Sequence, residues 1–410
     1  REGQLSLASS SDSYNWSMNN FRLDRIEIST ILEENNIFGK LDGKGSFKLD
    51  PLFLDGELTY NSPRYIDLYL REAQFKGSLY EQNYSLTGEL FPPNNGQVSI
   101  SLQGKIGGPF GTQVIAKNIS PAWLSNSALT LSELTKKVPI ATGTAQDVDG
   151  LSINMPGSID SQLRNWMISL ALNEQNKGLT SKDKIFNPND LKGFIDADVK
   201  LQGPDLSRLN LELKASGKLW LKGQKVNSSE IKPFTASFKG SLQQDDQGTF
   251  SLLNVPFSLL SLFVQVPSSL TGMIGINGKY RFKKGLPELS ADLILSEGSI
   301  LESPFILERG TISISDSSMT LDVSLRAVSS TNPVIISGQI PLSSNSLFDL
   351  RIESHGDGLN FLDGLSDGYV VLQSGRSELR LFIRGTLTSP IANGYLVIKE
   401  SDMTFLGEHI

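Results

Sequence analysis

LRLFIRGTLTSPIANGYLVIK, the stretch Leu379–Lys399, contains two runs of strand-forming residues separated by a turn. In the first run, Leu379, Leu381 and Ile383 alternate with two arginines and a phenylalanine. Side chains two residues apart in a strand lie on the same face of the sheet, so this alternation predicts one apolar face. Glycines and Pro390 between the runs are typical of a turn. The stretch therefore predicts a β-hairpin with one apolar side.

The same arrangement recurs earlier in the chain in looser form. Four further segments carry alternating apolar residues around a proline, namely Gly45–Tyr60, Gly104–Ala116, Gly203–Leu213 and Gly278–Leu295. Because the spacing between the copies is unequal, they do not form a solenoid of strict period. We interpret them as recurring hairpins of one elongated sheet, and no residue in any of them is typical of catalysis.

The composition also favours an all-β protein. The 410 residues include 37 glycines, and 39% of the chain is hydrophobic. Short apolar runs between glycine- and serine-rich segments indicate many strands and turns. We expect roughly 25 strands, and at about 4.8 Å per strand one continuous antiparallel sheet would extend on the order of 120 Å.

Charge and cysteine content exclude several kinds of site. The formal net charge is −7, and the lysines and arginines are scattered, so the sequence offers no basic surface for a phosphate backbone. There is no cysteine, which excludes disulfides and thiolate metal sites. Because the sequence offers no basic surface, we expect no nucleic-acid partner.

The strand patterns divide the chain into three parts. We place an N-terminal β segment at residues 1–117, a helical and loop insert at 118–190, and a C-terminal β segment at 191–410. In the first part, strands follow one another from Phe21 to Leu102, and Asn61-Ser62-Pro63 is interpreted as a turn between two of them. Short loops between consecutive strands predict an antiparallel meander.

Helical patterns are few. Ser161–Asn176 has apolar residues at helical spacing after the possible N-cap Asp160, and Ala122–Lys136 has a weaker helical pattern. Two short apolar segments, Val255–Phe263 and Leu359–Leu365, also have helical spacing, and we expect them to pack into the concavity of the sheet, to cap it, or to form core-packed turns.

The apolar face of such a sheet must be covered, because soluble proteins expose only a few hundred Å² of contiguous apolar surface. Two arrangements satisfy this requirement. Either a second sheet packs on the face, as in a series of β-sandwiches, or the single sheet curls into a gutter that holds an apolar ligand.

Motifs that carry chemistry are weak throughout the chain. Asp147-Val148-Asp149-Gly150 resembles the start of a calcium loop, but the remaining ligands are missing. The adjacent acids Glu33-Glu34 do not form a glycosidase pair, because neighbouring strand residues point to opposite faces. His355 has no nucleophile motif to accompany it. The sequence thus indicates no enzyme, no metal and no cofactor.

Membrane-spanning helices are not predicted either. The longest nearly apolar run, Val255–Val266, has only about 12 residues and contains Pro256, so it is too short to cross a bilayer. The sequence starts at Arg1 without a signal pattern. We expect that any signal or membrane anchor lies outside this sequence.

Three segments together resemble the TamB family of translocation-and-assembly-module proteins, within the AsmA-like group of bridge-like lipid-transfer proteins. The segments are Gly385–Pro390 followed by Gly394–Ile398, the preceding Gly358–Leu362, and Asn187–Gly203, which looks like the cyanobacterial and chloroplast branch. The resemblance implies an elongated antiparallel meander curled into a gutter, described in that family as a β-taco, with an apolar interior and here a short helical insert.

The resemblance also implies a function in outer-membrane biogenesis. Such a protein would lie in the periplasm, anchored in the inner membrane, and would pass phospholipid acyl chains along its groove towards a BamA- or TamA-like barrel protein of the outer membrane. The side chains we expect to line the groove are Val98, Ile100, Leu102, Leu209, Leu211, Leu213, Ile274, Ile276, Leu293, Leu295, Ile312, Ile314, Leu321, Val323, Leu379, Leu381 and Ile383.

Two other functions remain open at this point. The family is also credited with helping to insert outer-membrane β-barrel proteins, for which exposed strand edges would bind extended chains. A structural stalk of β-sandwiches is the third interpretation.

Overall fold

A computed structural model gives the structure of residues 3–10, 12–22, 37–65, 68–125, 127, 191–205, 208–223, 231–241, 246–262, 270–283, 286–300, 303–315, 318–341, 347–359, 370–386, 389–405 and 408–409. Several predicted features lie outside these residues, including the helix at Ser161–Asn176, the Asp147–Gly150 motif and the Glu33-Glu34 pair. The described residues fall into two units.

The described residues of unit 1 form eleven strands in chain order. They are β1 (Gln4–Ser10), β2 (Ser13–Arg22), β3 (Ile37–Lys48), β4 (Phe53–Tyr65), β5 (Leu68–Tyr69), β6 (Glu72–Tyr80), β7 (Asn83–Phe91), β8 (Gln97–Lys105), β9 (Phe110–Ile119), β10 (Leu191–Asp205) and β11 (Arg208–Leu221). Each long strand pairs antiparallel with the next long strand, and the two-residue β5 pairs with the end of β4.

The long connection after β9 does not interrupt the order of the strands. β9 ends at Ile119 and β10 begins at Leu191, yet the two strands pair directly, with Val114 opposite Val199. The predicted insert therefore joins two neighbouring strands of the same sheet.

The part of unit 2 that the structure describes contains ten strands, again in chain order. They are β13 (Gln247–Pro256), β14 (Leu270–Lys283), β15 (Leu286–Ile300), β16 (Ser303–Ser315), β17 (Ser318–Ala327), β18 (Val334–Pro341), β19 (Leu347–Gly356), β20 (Val370–Thr386), β21 (Ser389–Phe405) and β22 (Glu408–His409). Every consecutive pair is antiparallel. A further strand, β12, spans Phe234–Ser241.

The prediction of an all-β antiparallel meander is confirmed, and so are its hairpins. The stretch that opened the sequence analysis forms β20 and β21, which pair from Val370 opposite Phe405 to Thr386 opposite Ser389. The apolar residues at alternate positions from Leu209 to Leu221 belong to one long strand, β11.

Two details of the strand prediction are wrong. β1 and most of β2 lie before Phe21, within the predicted N-terminal β segment but where no individual strand was predicted. The supposed turn at Asn61-Ser62-Pro63 lies inside β4, where Ser62 has a φ of 50° and donates its backbone N–H to the carbonyl of Arg71. This local irregularity carries Pro63 through the strand without ending it.

Helical structure is short in the described residues. Residues 121–125 are helical, and four of the five lie within the predicted segment Ala122–Lys136. A 3₁₀ helix, Phe257–Leu262, occupies the predicted apolar segment after β13.

The buried core of unit 2 lies where this helix meets the strands. Ile300, Phe305, Ala327, Val334 and Leu359 form one cluster of buried side chains. Partly buried side chains from the 3₁₀ helix and from seven strands pack against it, namely Phe257, Leu270, Leu295, Leu325, Ile336, Ile352, Leu379 and Ile398. The two short apolar segments predicted from helical spacing thus each contribute one residue to this packing, Phe257 and Leu359, and residues 360–365 of the second segment lie outside the described residues.

Candidate functional surface

The pairing register places apolar side chains on one face of unit 1, because directly opposite residues in antiparallel strands share a face. One transverse row runs through successive partners from β7 to β11, namely Leu86, Leu102, Thr112, Leu201 and Leu211. The adjacent row consists of Gly88, Ile100, Val114, Val199 and Leu213. We call the surface formed by such rows the apolar face of unit 1.

This face continues to the first strands through an aromatic side chain packed over glycines. Trp16 of β2 lies opposite Gly45, which in turn pairs with Gly56. A Cβ atom added to Gly45 would lie 2.8 Å from the indole, and one added to Gly56 would lie 2.6 Å from it. The two glycines therefore make room for the ring, which covers two neighbouring strands.

Unit 2 has an equivalent apolar face. One row follows the partners Ala291, Ile312, Leu321, Gly338, Leu350 and Ile383. A second row follows Val323, Ile336, Ile352, Leu381 and Gly394. Ile276 pairs with Leu293, and Ile274 pairs with Leu295, in the strands before them.

The residues expected to line a groove lie on these two faces. Those of unit 1 are Val98, Ile100, Leu102, Leu209, Leu211 and Leu213, and those of unit 2 are Ile274, Ile276, Leu293, Leu295, Ile312, Ile314, Leu321, Val323, Leu379, Leu381 and Ile383. Val98 and Val323 are buried, each with 8% of its surface exposed. The others are half-buried.

Sequence reasoning missed several members of the same faces. Phe75 and Val199 in unit 1, and Ile336 and Ile352 in unit 2, belong to the rows, and all four are half-buried. For Ile336, the adjacent Ile335 left it ambiguous which of the two isoleucines lies on the apolar face. The spacing of two residues from Ile336 to Gly338 and Ile340 was the signal that could have assigned Ile336 to that face.

The opposite face is polar and carries paired charges. In unit 2, Arg309 contacts Asp322 at 2.9 Å, and Arg380 contacts Glu353 at 2.8 Å. Burial alone would raise the pKa of Glu353, but hydrogen bonds and charge from Arg351 and Arg380 outweigh it and lower that pKa. Glu353 is therefore ionised at neutral pH, with Arg351 and Arg380 as its partners.

One aromatic side chain on the polar face is covered by cations. The ring centroid of Phe382 lies 5.7 Å from the guanidinium carbon of Arg351 and 5.5 Å from that of Arg384. Such contacts are favourable, and they shield an apolar ring on a face that is otherwise solvated.

The large concavity of unit 1 opens mainly on the polar face. It has a volume of about 790 Å³, and its polar lining includes Lys44, Glu57, Gln74, Lys76 and Glu89. Lys44 and Glu57 pair across it at 2.9 Å. Ile100 also borders this space, whereas most of the predicted groove residues do not. On the apolar face, Leu5, Leu7 and Leu54 are 64%, 63% and 44% exposed.

The described residues contain neither a candidate metal cluster of histidine and carboxylate groups nor a helix long and apolar enough to cross a membrane. His355 is exposed at the end of β19, opposite Glu378 of β20. No protein-family model, no curated protein and no solved structure matches the chain.

Proposed function

We propose that this chain binds phospholipid acyl chains on its apolar faces and passes them along these surfaces. The supporting observation is the set of half-buried apolar rows that cross successive strands in each unit. At most positions these rows carry no polar side chain. Such an apolar surface favours sliding of a hydrocarbon chain and performs no chemistry on it.

The energy of this contact is large enough for function. An acyl chain of about 16 carbons would gain on the order of 12 kcal/mol before entropic costs, at roughly 0.8 kcal/mol per buried methylene. Because neighbouring rows are chemically alike, the chain would lose little of this energy when it moves by one row. A single charged side chain in a row would interrupt the movement.

The degree of burial favours this proposal over a β-sandwich stalk. Two packed sheets bury their inner side chains as completely as a protein core does. Ile100, Leu102, Leu211, Ile276 and Leu381 instead remain half-buried. Among the residues described, these positions are accessible to a ligand.

The resemblance of the sequence to the TamB family suggests where in the cell the chain would act. The chain would be part of a periplasmic, inner-membrane-anchored conduit for phospholipid in outer-membrane biogenesis, with a BamA- or TamA-like barrel protein as its partner. Assistance to the insertion of barrel proteins through strand edges is the alternative within the same family.

The first experiment asks whether lipid accompanies the protein. We expect native mass spectrometry of the chain, purified after export to a bacterial periplasm, to show bound phospholipid that organic extraction recovers. A lipid-free, monodisperse protein would contradict the proposal, because the apolar faces would then be covered by protein.

Charge substitutions provide the specific test, and each has a matched control on the opposite face. We expect Leu211→Asp and Ile276→Asp to lose the bound lipid, because each places a carboxylate in an apolar row. Asn210→Asp and Asn277→Asp add the same charge one residue away, at exposed positions, and these two variants should retain the bound lipid. Equal lipid content in all four variants would refute binding on these faces.

A further inference from the structure

One part of the apolar face of unit 2 is covered by the chain itself. Leu325, Val334, Ser354 and Leu379 are successive partners in β17, β18, β19 and β20, and we call them the covered row. Leu359 belongs to the buried cluster that includes Val334, and it is 2% exposed. The row continues on β21 with Leu396, which is 49% exposed. The row is therefore closed under Leu359 and open at its β21 end.

The turn that carries Leu359 is held by polar contacts at its other end. The carboxylate of Asp357 accepts hydrogen bonds from the backbone N–H of Thr331, at 2.7 Å, and of Asn332, at 2.9 Å. The Asn332 side-chain amide donates to the same carboxylate at 2.9 Å. Ser330 Oγ donates to the Asp357 carbonyl at 2.9 Å. These bonds fix Asp357 to the loop before β18, whereas Leu359 is held by apolar packing.

The covered row contains one hydroxyl without a partner. Ser354 is 1% exposed, and its Oγ makes no hydrogen bond to any described residue. It lies so close to Gly358 that a Cβ atom there would collide with it. Buried hydroxyls are normally satisfied, so an unsatisfied one calls for a ligand, a water or a second conformation of its cover.

We propose that the covered row is a binding position for the ester end of a phospholipid acyl chain, and that Leu359 occupies this position when lipid is absent. This inference rests on the proposed function, since it assigns a place on the same apolar face. The hydrocarbon lies along Leu325, Val334 and Leu379, as the side chain of Leu359 does in the closed form. Ser354 Oγ then donates a hydrogen bond to the ester carbonyl of the lipid. The acyl chain enters the covered row from its exposed end at Leu396.

Displacement of Leu359 is measurable because the chain has no cysteine. In Leu359→Cys, the single thiol should react slowly with a maleimide and severalfold faster after oleoyl lysophosphatidylcholine is added below its micellar concentration. Ile119→Cys in unit 1, at a residue 1% exposed, is the control, and its rate should not change. Circular dichroism establishes that both variants are folded.

The role of the hydroxyl is tested with an ester lipid and its ether analogue, which lacks the carbonyl. Wild-type protein should bind the ester form more tightly, by roughly 2- to 10-fold for one net hydrogen bond. Ser354→Ala should bind both forms equally, because it removes only the donor. This variant keeps the apolar row and relieves an unsatisfied group, so folding is not at risk.

The outcomes separate this inference from the proposed function. If wild-type protein binds the lysolipid but the Leu359→Cys rate is unchanged and Ser354→Ala keeps the ester preference, the covered row is not the site, while acyl binding elsewhere stands. If wild-type protein binds neither lipid form, the proposed function fails and this inference fails with it. Faster labelling together with a lost ester preference supports the covered row.

Discussion

Asp357 shows how one carboxylate fixes the end of a strand in unit 2. Burial alone would raise the pKa of this carboxyl, but hydrogen bonds from Thr331 and Asn332 outweigh burial and bring the pKa to about 2, from an ordinary value of 3.8. The ionised form is thus stabilised by folding. Its contribution is fully present above pH 4 and is lost as the pH falls through the folded-state value.

We therefore expect the free energy of unfolding of wild-type protein to fall between about pH 4 and pH 2 by more than that of Asp357→Asn. The asparagine keeps the shape but cannot ionise, so its loss over this interval reflects the other carboxylates alone. Urea unfolding at several pH values measures the difference. Parallel pH profiles for the two proteins would show that the hydrogen bonds do not favour the ionised form.

The sequence did not identify Asp357 as an important residue. In Ser354-His355-Gly356-Asp357 the histidine was the candidate for chemistry, yet it is exposed, and the aspartate two residues later makes the contacts. Its partners lie 25 and 26 positions earlier in the chain. Local spacing cannot reveal contacts that depend on the pairing of β18 with β19.

At the scale of the strands, Trp16 and the glycines beneath it link β2, β3 and β4. We expect Gly56→Ala to lower the free energy of unfolding by about 1–3 kcal/mol, because the added methyl group overlaps the indole and forces the ring to move. Urea unfolding gives the free energy, and tryptophan fluorescence reports the displaced ring.

Gly111→Ala in β9 is the matched control for that prediction. A Cβ atom at Gly111 would meet only the Gln202 side chain, at 3.8 Å, which is an ordinary contact. This variant should therefore retain the wild-type stability and fluorescence. If Gly56→Ala is as stable as Gly111→Ala, the packing of Trp16 over the glycines does not contribute to the fold.

Strand prediction succeeded for long runs of alternation and failed for short ones. β8 and β11 have uninterrupted apolar alternation, and both were predicted. In β1 and β2, Leu5 and Leu7 and then Tyr14, Trp16 and Met18 also alternate with polar residues, but these runs are short, and no strand was predicted there. Pro63 suggested a turn, but the irregular backbone at Ser62 accommodates it within β4.

Within each unit, the division of side chains into two faces was predictable, whereas the side towards which the sheet curves was not. Period-two spacing assigns side chains to faces wherever the register holds, and the predicted surface residues of both units lie on the apolar side. Curvature depends on strand twist, bulges and side-chain size, which alternation does not encode. The concavity of about 790 Å³ in unit 1, which opens mainly on the polar side, is the clearest example.

The contrast between the two faces predicts how the stability of the whole chain responds to its surroundings. Ion pairs of the polar face are solvated, as in Arg309–Asp322, whose side chains are 54% and 38% exposed. Salt screens such pairs, and they contribute little to stability. We therefore expect the midpoint of urea unfolding to change only slightly when sodium chloride is raised from low to molar concentration.

An acyl ligand should have a much larger effect, because it binds only the folded apolar faces. Mass action predicts a gain of about 2.7 kcal/mol in the free energy of unfolding at a lysolipid concentration 100 times the dissociation constant. Glycerophosphocholine has the same headgroup without the chain and should produce no gain. A strong decrease of the urea midpoint with salt would show that charge pairs hold the fold together. An equal effect of lysolipid and glycerophosphocholine on the free energy of unfolding would show that the apolar rows serve packing within the protein and do not bind acyl chains.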